Sequence, residues 1–100
     1  MQSVLADNIE KVKGICRLHK VKKLYAFGSV CTNTFTPASD VDLLVKFEPR
    51  FFDGYVDNFL SLEKELKELL NHEVDIVTEE TLENPYFIKV VNQTKTPIYE

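Results

Sequence analysis

Eight residues, Asp40 to Phe47, alternate along the chain and limit what it can fold into. In an extended conformation Val41, Leu43, Val45 and Phe47 leave one side, and Asp40, Asp42, Leu44 and Lys46 leave the other. A period of two does not suit a helix. The apolar side must be buried, so this strand belongs to a sheet with at least one covered face. Its other side opens with two carboxylates at the start of the strand, where water can reach them.

The flanking sequence supplies the cover. From Ser3 to about His19, Leu5, Ile9, Val12, Ile15 and Cys16 recur at helical steps, although Gly14 costs such a helix about 1 kcal/mol relative to Ala. Leu24-Tyr25-Ala26-Phe27 is a short apolar run closed by Gly28, which reads as a buried strand. Ser29 to Phe35 fits one or two helical turns, and Thr36 to Ser39 fits a loop. Glu48-Pro49-Arg50 ends the alternating strand.

A helix is predicted from about Tyr55 to Leu70, with Val56, Phe59, Leu62, Leu66, Leu69 and Leu70 as its apolar stripe. Glu73 to Val77 reads as a third strand. Asn84-Pro85 starts a short helix, since Pro suits the first helical position. Thr96 to Tyr99 fits a short edge strand. The order predicts an α/β (α+β) fold, a small mixed sheet flanked by helices, in one domain spanning residues 1–100.

The bulk properties exclude several classes. A net charge of −4, with basic residues spread over the helices, argues against a nucleic-acid partner. No long apolar run argues against a membrane. Cys16 and Cys31 lack C-x-x-C spacing, and no secretory signal precedes them, so the reading is a cytoplasmic protein with reduced thiols. Without secretion, the glycosylation pattern at Asn92-Gln93-Thr94 carries no weight.

The chemistry concentrates at five residues. Gly28 has no Cβ, so phosphate oxygens can approach the backbone, and Ser29 adds a hydroxyl. Thr32 and Asn33 are weaker extra donors. Beyond ten intervening residues from Ser29, Asp40 and Asp42 leave one strand face within reach of one cation. Magnesium takes hard oxygen ligands, commonly one or two carboxylates plus substrate phosphates. Asp75 sits between Val74 and Ile76 in an apolar strand, where an unpaired charge is costly. A metal shared with Asp40 and Asp42 removes that cost, and two such ions could clamp an in-line displacement at phosphorus.

Alone, an Asp-x-Asp pair is commonly a solvated turn or cap, and a Gly-Ser pair is commonly just a turn. Here the turn follows a buried strand and the carboxylates open the next one. The Asp40 stretch fails as a calcium loop, because Leu44 and Val45 occupy ligand and turn positions. His19 and His72 end predicted helices and have no second ligand at zinc spacing. Cys31 reads as a small buried residue. Phe51, Phe52 and Tyr55 read as the start of the core helix, with a surface cluster for a partner as the other reading.

Phe27-Gly28-Ser29, Ser39 to Val45 and Val74 to Val77 together resemble the minimal nucleotidyltransferases of the DNA polymerase beta superfamily, and the resemblance covers nearly the whole chain. It implies transfer of a nucleoside monophosphate, AMP from ATP, to a hydroxyl, with release of pyrophosphate. Gly28 and Ser29 would then hold the triphosphate. Asp40 and Asp42 would hold Mg²⁺, and Asp75 would complete a two-ion site on the acceptor side. Relatives of this size imply an antitoxin that binds and adenylylates a HEPN-domain protein.

The sequence departs from the pattern in one respect. Val30, Cys31, Thr32, Asn33 and Thr34 follow the turn, where many relatives carry Arg or Lys, and the nearest basic candidate on the Asp face is Lys46. A catalytically weak binding module therefore stands as an alternative, and an enzyme acting on a small molecule as another. At this length no helical acceptor domain is expected within the 100 residues, which points to a partner or a second copy of the chain for acceptor recognition.

Overall fold

The computed structural model describes residues 3–32, 35–49, 51–78 and 81–100. Along the chain run helices α1 (Ser3–Ala6) and α2 (Ile9–Leu18), strand β1 (Val21–Phe27), a one-turn 3-10 helix (Gly28–Cys31) and strand β2 (Val41–Phe47). Helix α3 (Tyr55–Leu70), strand β3 (Val74–Thr78), helix α4 (Pro85–Thr94) and strand β4 (Thr96–Tyr99) follow. The four strands form one mixed sheet in the order β3-β2-β1-β4. β1 pairs antiparallel with both β2 and β4, whereas β2 and β3 are parallel. A parallel pair needs a long crossover, and α3 provides it.

The alternation sorts the sheet into two faces. Val41, Leu43 and Val45 are fully buried in a cluster with Leu24, Ala26 and Ile76 of the neighbouring strands and with Val12, Cys16, Leu62 and Leu66 of α2 and α3. Each fully buried aliphatic side chain of this kind contributes about 1.5–3 kcal/mol. Phe47 closes one end of the core, with the rings of Phe52, Tyr55 and Phe59 at 6.3, 5.3 and 6.3 Å. The opposite face is covered less completely: Phe27, Leu44 and Val91 form a smaller cluster flanked by Tyr25, Val77 and Leu82.

Three details differ from the pattern-based expectation. The first helix is broken after Ala6, because the Asn8 side chain donates to the Val4 carbonyl at 2.8 Å and its amide donates to Leu5 at 3.0 Å. Such local bonds compete with the helical ladder. Gly14, by contrast, lies in an unbroken α2. In α3, Val56 is 67% exposed and does not join the buried stripe of Leu62, Leu66 and Leu70. β1 also begins at Val21, three residues earlier than the apolar run suggests.

The two histidines are structural. His19 Nδ1 donates to the Ile15 carbonyl at 2.7 Å, and its Nε2 faces Glu65 at 2.7 Å and Ser61 at 3.0 Å, tying α2 to α3. His72 Nδ1 donates at 3.1 Å to the carbonyl of Ser39, next to Asp40, and so helps fix the entry to β2.

Cys16 is fully buried, and burial pushes its thiol up to about 12. A thiol held that high carries almost no thiolate at neutral pH. Native protein should therefore leave Cys16 unmodified by iodoacetamide at pH 7.5, and unfolding in urea should release it; peptide mass mapping reads both. Among the described residues, no helix is long and apolar enough to cross a membrane.

Candidate active site

The site is built where β1 ends and where β2 and β3 begin. Phe27 is extended, with φ −149°. Gly28 then turns to φ +73°, a left-handed conformation that glycine adopts without steric cost. The following turn is closed by Thr32, whose amide and hydroxyl both donate to the Ser29 carbonyl at 3.0 Å. Thr32 thus spends its hydroxyl on holding the turn. Asn33 lies outside the described residues. With one 3-10 turn, the helix dipole adds little here, and attraction for an anion rests on the turn's own polar groups.

Asp42 is central. Across the antiparallel pair it stands opposite Phe27, and across the parallel pair it stands opposite Asp75. Neighbouring strands lie about 4.8 Å apart and paired residues share a face, so the two carboxylates leave the sheet side by side. Asp40 lies just before β2 and is exposed, as is Asp75, whereas Asp42 is half-buried. Burial pushes the Asp42 carboxyl up to about 6, helped by the negative charges of Asp75 and then Asp40. The turn reaches the same point, since a Cβ on Gly28 would fall 2.8 Å from Asp42 Oδ2. The structure thus brings Gly28, Ser29, Asp42 and Asp75 to one end of the sheet, with Asp40 beside them at the strand entry.

This donor set suits a divalent cation. Asp42 and Asp75 stand side by side, the negative charges of Asp75 and Asp40 act on Asp42, and a bound cation would relieve that repulsion. The set is open, however. Among the described residues, no three acidic, histidine or cysteine side chains close into a cage of their own. An open set fits magnesium, which fills its remaining positions with water and substrate phosphates.

The basic residues are disposed differently. Lys46 shares Asp42's face but lies four residues along the strand, roughly 13 Å away, and pairs across from Lys23. Lys22 is engaged with Glu48 at 2.9 Å.

One contact had no signal in the sequence. The Gly28 amide donates at 2.8 Å to the hydroxyl of Thr94, 66 residues away at the end of α4. No periodicity or spacing relates positions so far apart.

A nucleotidyltransferase domain model matches residues 9–96. A Methanocaldococcus jannaschii protein named "putative protein adenylyltransferase" is 36% identical over 93 residues, covering 85% of this chain and 92% of that protein. A solved "putative minimal nucleotidyltransferase" superposes with a TM-score of 0.75 at 31% identity, covering 97% of this chain and 96% of the other. The same fold recurs, with a TM-score of 0.64 at 19% identity and coverage of 94% and 71%, in a structure described as a tri-AMPylated Shewanella oneidensis HEPN toxin in complex with MNT antitoxin. The matched range, residues 9–96, spans most of the chain, and the chain belongs to the nucleotidyltransferase domain family.

Proposed function

We propose that this chain is a magnesium-dependent adenylyltransferase that moves AMP from ATP to a hydroxyl of a HEPN-type partner protein, and so acts as an antitoxin. The observation that carries this reading is the registered pair of Asp42 and Asp75, with Gly28 against the Asp42 carboxylate. The names of the relatives support the nucleotide and the protein acceptor.

In this reading Gly28 and Ser29 hold the triphosphate through the polar groups of the turn, and the missing Cβ of Gly28 leaves room for the Asp42 carboxylate beside it. Asp40 and Asp42 would hold Mg²⁺, and Asp75 would help to hold a second ion on the acceptor side. When bound, the ions neutralise phosphate charge and template an in-line displacement. The acceptor oxygen bonds to the α-phosphorus, the bond from that phosphorus to the bridging oxygen of pyrophosphate breaks, and pyrophosphate leaves. Asp75, on the acceptor side, takes the hydroxyl proton.

The test uses ATP labelled at the α-phosphorus, magnesium and, as acceptor, a HEPN-domain protein encoded in the same genome. Label on the partner supports the proposal; a partner that is bound and silenced without label overturns it. That second outcome is the binding-module reading, favoured by one observation. Among the described residues, Val30, Cys31 and Thr32 bring no positive charge to the turn, and Lys46 lies well along the strand.

A modest stability prediction concerns α4. The Asn84 side chain caps this helix, accepting from the Tyr86 amide at 2.9 Å and the Phe87 amide at 3.4 Å. Asn84→Ala should cost about 1 kcal/mol, read as a lowered urea midpoint with an unchanged slope.

A further inference from the structure

Helix α4 lies over the end of β1 through one stripe of side chains: Phe87, Val91 and Thr94. The Phe87 ring meets Phe27 edge-on at 5.5 Å between centroids, and Val91 is buried with Phe27 and Leu44. One turn further, the stripe becomes polar. The Thr94 hydroxyl accepts from the Gly28 amide at 2.8 Å and donates to the Val90 carbonyl at 2.9 Å. Its proton and one lone pair are therefore both committed, and the chain of bonds has one polarity, from amide to hydroxyl to carbonyl. The Gly28 amide is partly buried, and without this acceptor it would lose its partner within the protein.

Gly28 can occupy several backbone conformations that other residues cannot. Something outside the residue must select the one that sets its flat face against Asp42. Phe27 is anchored by apolar contacts with Phe87, Val91 and Leu44, which fix where the turn begins but not how the next peptide is rotated. The hydrogen bond to Thr94 fixes that rotation. We propose that Thr94 is a positioning residue: it locks the Gly28-Ser29 turn in its phosphate-receiving conformation and so makes triphosphate affinity depend on the seating of α4. This rests on the nucleotidyltransferase reading above. Thr94 touches no reacting atom in that reading.

The test compares Thr94→Val, which keeps the shape and removes the hydroxyl, with Thr94→Ser, which restores it. Two readouts are needed: binding of Mg-ATP by calorimetry together with KM and kcat for transfer, and the amide signal and hydrogen exchange of Gly28 by NMR. Thr94→Val should weaken Mg-ATP binding and raise KM by about tenfold, as loss of one neutral hydrogen bond implies, with kcat within about twofold. The Gly28 amide should exchange faster, and Thr94→Ser should return every value to near wild type.

Unchanged Gly28 exchange in Thr94→Val overturns the proposal. So does faster exchange with unchanged Mg-ATP affinity. Failure of wild-type protein to bind Mg-ATP at all overturns the nucleotide reading and this proposal together, and is thereby distinguished from a failure of Thr94 alone.

Discussion

Asp42→Asn should lower AMP transfer on the order of 10³-fold or more while making the folded chain more stable. The loss follows from the position of the residue, which stands between Asp75 and the Gly28 turn. A neutral amide there removes the charge that would hold the cation, and metal assistance in such displacements is worth several kcal/mol. The gain in stability has a separate cause. A carboxyl raised to about 6 in the folded state, against an ordinary value near 4, favours folding while protonated and loses that contribution as pH rises through 6. At pH 7 the folded chain therefore carries an ionised Asp42 against burial and two like charges.

Removing that charge should stabilise the protein by on the order of 1 kcal/mol, the full shift being discounted because Asp42 is only half-buried. For a domain of this size that is a rise of about 4–8 °C in Tm at pH 7. The difference between wild type and variant should close below about pH 4, where both side chains are neutral. Transfer assays and thermal melts across pH 4 to 8 check the two halves independently. A variant that retained transfer, or that melted below wild type at neutral pH, would contradict the electrostatic account.

Gly28→Ala should impair the site and the fold together. The added methyl would lie 2.8 Å from Asp42 Oδ2, closer than real Cβ contacts, and a φ of +73° disfavours any residue with a Cβ. The backbone strain alone costs about 1–2 kcal/mol. Relief can come from rotating the peptide, which breaks the bond to Thr94, or from swinging the Asp42 carboxylate, which spoils its alignment with Asp75. Either route moves a group that would meet the substrate, and displacements near 1 Å cost on the order of 10²-fold in rate. The expected result is a lowered Tm with a transfer defect of about that size. A fully active Gly28→Ala would show that the turn is not where triphosphate docks.

That the residues of the candidate site lie near one another was largely legible in the sequence, because most of them belong to local patterns. The alternation from Asp40 to Phe47 states which side of β2 is buried, and the break at Gly28 marks the end of β1. Asp75 stood out by being charged amid apolar neighbours. What the linear pattern does not hold is competition between alternatives. Asn8 could continue a helix or bond back to Val4, and the second outcome splits α1 from α2. Val56 has the right spacing for the stripe of α3, yet it is the preceding Tyr55 that packs against the core, and Val56 is left exposed. The Gly28–Thr94 bond is invisible for a further reason. It exists only once the whole sheet has brought the end of α4 over the end of β1.

The sheet has two open sides, and an open strand is a template on which another chain can assemble. β4 is guarded by Pro97, which cannot donate to an incoming strand. On β3 the exposed guard is Asp75, between buried Val74 and Ile76. A charge at this edge opposes the pairing of another strand there, so replacing Asp75 with an apolar residue should raise the tendency of copies of the chain to associate, whatever its part in the proposed chemistry.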